Sequence, residues 1–163
     1  MCGILGEFSL TNSLTPIDRF KSILKISKSR GPDESSIKSA SGKIQFGFNR
    51  LSILDLSKEA SQSVWSPSGR YLIVFNGEIY NHQKLRSDLG IVGKTIKSHG
   101  DTASLVYCID RWGITNTIKK IEGMFSIGIW DVTKGRLSLA RDFAGIKPLF
   151  YGWKNSKFVF ASQ

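Results

Sequence analysis

Residues 71–75, Tyr-Leu-Ile-Val-Phe, constrain the fold more than any other stretch of the chain. Every position is apolar, so a strand formed here has no polar face to turn towards water. Such a strand is covered on both sides, which implies a layered fold. Two helical patterns lie between runs of short strands, and this order indicates an α+β architecture rather than a parallel α/β sheet.

Hydrophobic periodicity predicts the individual elements. A first helix has Thr15 as its N-cap and Pro16 at its first position, and it runs to about residue 29. A second helix follows Asn81, and a third begins at residues 101–102 and ends at Gly113. The residues after 33 and residues 57–69 are interpreted as polar connections. Strands are predicted from Ile4 and at residues 43–51, 71–75, 125–131, 136–141, 149–153 and 158–161, with the aromatic residues from Trp130 to Phe160 in the sheet core.

The composition narrows the class of protein. The 163 residues suggest one domain, and the formal net charge is +10. Basic and acidic residues are interleaved, so the charge favours a solvated surface over nucleic-acid binding. Neither a transmembrane helix nor a secretory signal is expected. Cys2 and Cys108 form neither a disulfide framework nor a metal cluster, which favours a reduced, cytoplasmic protein without a metal site.

Cys2 is the first candidate for chemistry. If Met1 is removed, Cys2 carries both a thiol and a free α-amine, whose ordinary pKa values are roughly 8.5 and roughly 7.7–8.0. The amine can then take the thiol proton directly or through one water, which activates the sulfur as a nucleophile. The alternative is an incidental cysteine behind an ordinary initiator methionine.

Asn76-Gly77 directly follows the apolar strand and has two interpretations. An Asn-Gly pair after a strand is commonly a tight hairpin turn. Alternatively, the Asn76 side-chain amide and the Gly77 backbone N–H converge on one point and form an oxyanion hole. Each donor in such a hole contributes roughly 2.7–4 kcal/mol to acyl transfer. Glu78 then lies beside the hole as an acceptor for a cationic group.

Seven sequence blocks in a fixed order carry a family resemblance across essentially the whole chain. The chain resembles the class II glutamine amidotransferase domain of the glutamine-hydrolysing asparagine synthetases. The blocks are Cys2-Gly3-Ile4, Arg30-Gly31-Pro32-Asp33, Arg50-Leu51-Ser52-Ile53-Leu54-Asp55-Leu56, Phe75-Asn76-Gly77-Glu78-Ile79-Tyr80-Asn81-His82, Gly100-Asp101-Thr102, Glu122-Gly123-Met124-Phe125, and Arg141-Asp142 with Gly145-Ile146-Lys147-Pro148-Leu149-Phe150-Tyr151.

The resemblance implies the N-terminal-nucleophile hydrolase fold, a four-layer αββα sandwich of two antiparallel sheets. Residues 1–163 would form one glutaminase domain that hydrolyses L-glutamine to L-glutamate and ammonia without a metal or organic cofactor. ATP and magnesium are expected only in a synthetase domain, whose Ser-Gly-Gly-x-Asp-Ser motif this chain lacks. Ammonia would pass to that domain or subunit for an ATP-activated acceptor, with aspartate expected. A homodimer is left open.

The resemblance also assigns roles to residues. Cys2 would attack the carboxamide carbon of glutamine, and Arg50 would bind the substrate α-carboxylate through its planar fork of donors. For Arg50 the alternative is a surface charge, and for Asp101 it is a helix N-cap. The remaining roles are oxyanion binding by Asn76 and Gly77, α-ammonium binding by Glu78 and Asp101, and lining of the glutamine pocket by backbone groups of Leu51, Ser52, Ile53 and Leu54.

The chain departs from the family pattern at several positions. Ser29 and Phe48-Asn49 stand where histidines are usual or common, and Ala103 stands where an acidic residue is common. None of these positions carries the nucleophile, an oxyanion donor or the carboxylate clamp. The alternative function is a glutamine-binding or interaction module of the same fold that has lost turnover.

Overall fold

The strands form two antiparallel sheets in the computed structural model, which describes residues 2–51, 62–90 and 100–163. One sheet has the order β2-β3-β1-β9-β8, and the other has the order β4-β5-β6-β7. In chain order the strands are β1 (Gly3–Ser9), β2 (Glu34–Ala40), β3 (Ile44–Arg50), β4 (Val64–Trp65), β5 (Tyr71–Ile79), β6 (Gly123–Asp131), β7 (Arg136–Arg141), β8 (Phe150–Lys154) and β9 (Lys157–Ala161).

Helices cover the outer faces of both sheets. Gly47 of β3 faces Leu24 and Phe20 on the first helix, while the third helix packs against β5. The helices are α1 (Ile17–Ile26), α2 (His82–Asp88), α3 (Asp101–Trp112) and α4 (Ile114–Ile118), with a 3-10 turn at Lys28–Arg30. The layers therefore run helix, sheet, sheet, helix, which confirms the predicted αββα sandwich. Within the described ranges, none of the helices has the length and apolarity needed to cross a bilayer.

Strand β5 is covered on both faces, as its apolar sequence predicts. Leu72 and Val74 belong to the cluster between the sheets. Ile73 and Phe75 belong to the cluster between the second sheet and the helices. The alternation of side chains along a strand thus assigns successive residues of β5 to two different cores.

Several boundaries differ from the sequence prediction. β5 continues to Ile79, so Asn76-Gly77 lies inside a strand and the hairpin-turn alternative is wrong. β2 and β4 lie in stretches interpreted as polar connections. β2 is an edge strand of small and polar residues that pairs along its whole length with β3. The pairing comes from the neighbouring strand, and the β2 sequence itself carries no apolar alternation that would predict it.

The predicted helix caps are also wrong in detail. α1 begins at Ile17, and Pro16 occupies the cap position. Thr15 instead donates its backbone N–H and its hydroxyl to the carboxylate of Glu7, each at 2.6 Å. Asn81 precedes α2, but its side chain bonds the backbone of residues 120 and 122 rather than the helix N-terminus. In both places a longer-range partner replaces the local cap.

The prediction that the late aromatic residues fill the sheet core is only half right. Trp130 and Phe160 are buried, but β8 is an edge strand whose residues are exposed or half-buried. A groove of about 770 Å³ separates it from β7. The exposed aromatic residues of this region are Phe143, Phe150, Tyr151 and Trp153.

Candidate active site

Cys2 lies at the end of the first sheet, directly before β1. The pairing of Gly3 with Asn49 places the next pair along the ladder at Cys2 and Arg50. The Leu51 N–H donates to the Cys2 sulfur at 3.4 Å, and the thiol donates to the Leu51 carbonyl oxygen at 3.7 Å. Cys2 is half-buried and packs against the apolar cluster between the two sheets. Its sulfur is therefore anchored where β3 ends.

Arg30 is a site residue that the sequence reasoning missed. Its Nε donates to the Cys2 carbonyl oxygen at 3.2 Å, and its buried Nη2 has no partner in the described part of the chain. A Cβ on Gly31 would lie 2.2 Å from the Asn49 carbonyl oxygen, so this turn requires glycine to approach β3. The residues themselves gave no reason to place Arg30 at the site. Its presence among the family blocks was the available signal.

Asn76 lies in the layer between the sheets. Along β5 it shares a face with Leu72 and Val74, which belong to the cluster that Cys2 touches. Both β1 and β3 contact β5 across this layer. Asn76 is 2% exposed, and its Nδ2 has no hydrogen-bond partner among the described residues. The structure therefore brings a partly accessible thiol and an unpartnered amide into the same layer.

The backbone of β5 directs its hydrogen bonds alternately to its two edges. Tyr80 donates to the Glu122 carbonyl, so even-numbered residues of β5 bond β6. Ser66 donates to the Tyr71 carbonyl, so odd-numbered residues face the opposite edge, where β4 pairs only with Leu72 and Ile73. Beyond β4, the odd-numbered N–H groups need other partners.

Side chains supply those partners on either side of Gly77. Phe75 N–H donates to Gln62 Oε1 at 2.7 Å, and Ile79 N–H donates to Asp101 Oδ2 at 2.9 Å. The Gly77 N–H lies between them on the same edge, with no recorded partner among the residues described. Together with Asn76 Nδ2 it provides two adjacent unpartnered donors, the arrangement that stabilises an oxyanion.

Gly77 is glycine because β6 lies close to it. A Cβ at this position would lie 2.2 Å from the Met124 carbonyl oxygen and 2.7 Å from the Phe125 Cα. In the structure, the neighbouring strand excludes a side chain before any ligand does.

Arg50 is buried at the end of β3, which excludes the surface-charge alternative. It is 7% exposed, and its Nη1 donates to Glu34 Oε2 at 3.3 Å. Arg50 lies opposite Cys2 in the strand ladder, and its guanidinium already binds one carboxylate. Of the predicted pocket residues, Leu51 contacts the thiol, while Ser52, Ile53 and Leu54 lie outside the described residues.

Asp101 lies at the far end of β5, near Glu78. It is the first residue of α3, with Gly100 at the N-cap position, so the N-cap alternative is wrong. Its carboxylate accepts from Ile79 N–H and, at 2.8 Å, from Thr102 N–H. Burial raises the pKa of Asp101 against the effect of these two bonds, and the charge of Glu78 raises it further. Two neighbouring carboxylates favour a cationic ligand.

Cys108 has none of the properties of a reactive thiol. It is fully buried in α3, and burial raises its pKa to about 12. These are the properties of an inert core thiol. His99 lies outside the described residues, and no group of three or more potential metal ligands occurs in the described ranges.

Comparisons with known proteins agree with this architecture. A family model described as a glutamine amidotransferase domain matches residues 1–163. The chain is 36% identical over its whole length to asparagine synthetase [glutamine-hydrolyzing] 2 of Bacillus subtilis, of which it covers 22%. It is 31% identical over its whole length to asparagine synthetase [glutamine-hydrolyzing] 3 of the same organism, of which it covers 26%. The chain thus spans about a quarter of these relatives.

A solved structure shares the fold at lower sequence identity. The glutamine phosphoribosylpyrophosphate amidotransferase of Bacillus subtilis superposes with a TM-score of 0.79 at 19% identity. The match covers 99% of this chain and 42% of that one. At this identity the likeness establishes the fold, which agrees with the predicted N-terminal-nucleophile hydrolase sandwich.

Proposed function

The chain belongs to the glutamine amidotransferase domain family, and from this membership we propose that it hydrolyses L-glutamine to L-glutamate and ammonia at Cys2. The observation that carries the proposal is the pairing of elements across the two sheets. The Cys2 thiol ends one sheet, and the unpartnered donors of Asn76 and Gly77 lie on the strand that packs against it.

The proposed reaction begins once Met1 has been removed. The Cys2 α-amine takes the thiol proton, directly or through one water, and the sulfur attacks the carboxamide carbon of glutamine. The carbonyl oxygen becomes an oxyanion that accepts from Asn76 Nδ2 and the Gly77 N–H. The tetrahedral intermediate then collapses, and the protonated α-amine returns its proton to the departing nitrogen, which leaves as ammonia. A γ-glutamyl thioester remains on the sulfur.

Water completes the cycle. It attacks the thioester carbonyl while the α-amine accepts one of its protons, and the same two donors hold the second oxyanion. Collapse releases glutamate, and the sulfur recovers a proton. No oxidation or reduction occurs, so the residues of the site supply every group that the reaction needs.

Charged groups at the site are suited to the two ends of the amino acid. Arg50, beside Cys2 in the ladder, offers a planar fork of donors to the α-carboxylate. Glu78 and Asp101 offer negative charge to the α-ammonium. We propose these roles together with a pocket wall formed by the backbone of residues 51–54.

The ammonia needs an acceptor that this domain does not activate. We propose a synthetase domain or subunit as the partner and aspartate, activated by ATP, as the acceptor, since the matched relatives are named asparagine synthetases. A cytoplasmic location belongs to the same proposal, because both cysteines are free thiols.

One observation favours the second candidate, a module that binds glutamine without turnover. The guanidinium of Arg50 is already bound to Glu34 at 3.3 Å. If the ion pair with Glu34 keeps the Arg50 guanidinium away from the substrate α-carboxylate, glutamine binds weakly or with its carboxamide carbon too far from the thiol for attack. This candidate predicts glutamine binding with no ammonia release from protein whose N-terminus is Cys2.

The chain provides a matched pair of variants for the test, because each of its two cysteines can be replaced separately. We expect Cys2→Ala to abolish ammonia release and to leave the melting temperature unchanged, since Cys2 is half-buried at a strand end. We expect Cys108→Ala to retain activity, with a lower melting temperature because it creates a cavity in the core.

The measurements are intact mass, ammonia release from glutamine, and thermal unfolding. Intact mass must first establish that Met1 is absent, because a retained methionine blocks the proposed base. Unchanged ammonia release from Cys2→Ala would refute the mechanism. Glutamine binding without release from the wild-type protein would favour the module without turnover.

A further inference from the structure

Ser126 places a second unpartnered polar atom next to Asn76. Ser126 is completely buried, and its hydroxyl oxygen has no hydrogen-bond partner among the residues that the structure describes. It lies on β6 directly opposite Asn76 of β5. Each strand thus contributes one buried polar atom without a partner at the same rung of the sheet.

The pairing geometry brings these two side chains close together. The backbone hydrogen bond from Tyr80 to Glu122 shows that these two opposite residues form a hydrogen-bonded pair. In an antiparallel ladder every second pair is of this kind, and the register makes Asn76 and Ser126 such a pair. Side chains opposite each other point to the same face, with Cβ atoms about 4.5–5.5 Å apart. Both therefore reach into the layer between the sheets, where Cys2 also packs.

The neighbouring positions on this face of β6 provide no hydroxyl. They are Met124, Gly128, over which Phe160 packs, and Trp130. A buried polar group without a partner costs free energy, typically about 1–3 kcal/mol. Alanine would fill the position of Ser126 without that cost. Packing alone therefore does not account for a serine here.

The hydrogen-bonding capacity of Asn76 supplies the missing reason. A carboxamide nitrogen carries two hydrogens. In the proposed reaction one of them points to the substrate oxyanion, and the other needs an acceptor inside the protein. The Ser126 oxygen is a buried acceptor on the facing strand, and rotation about a single side-chain bond can direct it towards Asn76.

We propose that Ser126 is a positioning residue: when glutamine binds, the Ser126 side chain rotates, its hydroxyl oxygen accepts the second N–H of Asn76, and the first N–H is thereby aimed at the substrate oxygen. This inference rests on the proposed function, because it concerns the same oxyanion. Ser126 does not touch the reacting atoms. It acts by holding the amide plane of Asn76 in one orientation.

A double-mutant cycle tests this role. The variants are Ser126→Ala, Asn76→Ala and the double variant, each assayed for ammonia release with kcat and KM measured separately. Ser126→Ala should lower kcat about tenfold, the effect of one hydrogen bond of about 1.4 kcal/mol, and change KM less than about twofold. In the Asn76→Ala background it should lower kcat no further, because the amide that it orients is gone.

Thermal unfolding separates positioning from a structural role. In the protein without substrate the Ser126 hydroxyl has no partner among the described residues, so the melting temperature of Ser126→Ala, measured without glutamine, should equal or exceed that of the wild type. Ser63→Ala is the matched control, since the Ser63 hydroxyl is also buried and without a partner in the described ranges. This control should leave kcat unchanged.

The outcomes distinguish this inference from the proposed function. If the wild-type protein with Cys2 at its N-terminus releases no ammonia, both fall. If it is active but Ser126→Ala leaves kcat unchanged, or lowers it by the same factor with and without Asn76, only the role of Ser126 is refuted. A lowered melting temperature together with the reduced kcat would also overturn it in favour of a structural role.

Discussion

The two halves of β5 differ in almost every physical respect, although they form one continuous strand. Residues 71–75 are apolar and buried, and their side chains fill both cores. Residues 76–79 carry an amide, a glycine and a carboxylate, with two donors left unpartnered among the described residues. The first half stabilises the fold by burial. The second half leaves hydrogen-bonding capacity open for a ligand.

The backbone N–H groups along the free edge of β5 also differ from one another in whether they have a hydrogen-bond partner. Side chains bind the N–H groups of Phe75 and Ile79, while that of Gly77 between them has no recorded partner in the described ranges. An exposed sheet edge would leave all three groups to water. Here side chains accept from the N–H groups on both sides of Gly77, and only the Gly77 N–H of these three groups is left for a ligand. This arrangement is expected of a specific binding site.

The sharpest test of the contrast between the halves compares Asn76→Ala with Val74→Ala, two positions apart on the same face. Asn76→Ala should lower kcat by about 10²–10³-fold, as loss of one oxyanion donor does. Val74→Ala should reduce the free energy of unfolding by about 2 kcal/mol through lost burial and a cavity. Ammonia-release kinetics and denaturant unfolding of both variants provide the measurements.

Each variant of that pair is the control for the other. Asn76→Ala should keep its unfolding free energy, because its Nδ2 has no partner in the described structure. Val74→Ala should keep its kcat at temperatures where it remains folded. A large loss of stability in Asn76→Ala with little loss of kcat would contradict the view that residues 76–79 serve catalysis and residues 71–75 serve stability.

Asp101 provides the next largest effect. Asp101→Asn should raise KM for glutamine about 10–100-fold, the range for hydrogen bonds to a charged group, with a much smaller change in kcat. Burial raises the pKa of Asp101, so in the wild type protonation begins above the ordinary value of 3.8. KM should therefore rise as the pH falls from neutral, before an ordinary carboxylate titrates.

The variant also checks the origin of that pH dependence. The asparagine side chain has no carboxylate to protonate, so KM of Asp101→Asn should be high and nearly independent of pH over the same range. His82 and Glu78 are the other side chains whose charges act on Asp101. An unchanged pH profile in the variant would refute the assignment of this pH dependence to Asp101.

Replacement of Gln62 tests the part of the β5 edge where a side chain binds the backbone N–H. Its Oε1 accepts from the Phe75 N–H, and its Nε2 donates to the Thr102 hydroxyl at 3.2 Å. Gln62→Ala should cost about 1–3 kcal/mol of stability, because it leaves a buried N–H unsatisfied. Its kcat should fall much less than that of Asn76→Ala. A fall as large as that of Asn76→Ala would place Gln62 among the groups that bind the oxyanion.

The smallest effect is expected at the start of β5, where Asp131 pairs with Tyr71. The hydrogen bond from Arg70 lowers the pKa of Asp131 below its ordinary 3.8. Its stabilisation is therefore present above the unfolded value of 3.8 and is lost as the pH falls through the lower folded value. Asp131→Asn should lower the melting temperature at pH 7, with the difference shrinking near pH 3, and should leave kcat unchanged. A difference in melting temperature that is as large at acidic pH as at pH 7 would contradict this sign.

Apolar patterning was enough to predict the layered fold and most of its elements. The doubly covered β5 follows from residues 71–75, and the amphipathic α3 follows from its buried face. The role of Asn76 and Gly77 as oxyanion donors was inferred from residue chemistry and from the family resemblance, and it stays a prediction. The layered fold, β5 and α3 depend on local apolar patterns, so they could be predicted from the sequence.

The features that escaped prediction depend on long-range partners. β2 has no apolar alternation and exists because it pairs with β3. Arg30 reaches the Cys2 carbonyl across 28 positions of sequence. Tyr151 and Trp153 are exposed on β8, an edge strand of the first sheet, although their composition indicates a core strand. No local sequence pattern shows that a strand will lie at the edge of its sheet.

Trapping of the covalent intermediate is the decisive experiment for catalysis at Cys2. Wild-type protein with Cys2 at its N-terminus would be mixed with glutamine, quenched in acid within the first turnover, and mapped by peptide mass spectrometry. The account predicts a γ-glutamyl adduct on the peptide that begins with Cys2, also in Cys108→Ala and absent from Cys2→Ala. Glutamate formation by Cys2→Ala, or an adduct on Cys108 alone, would contradict it.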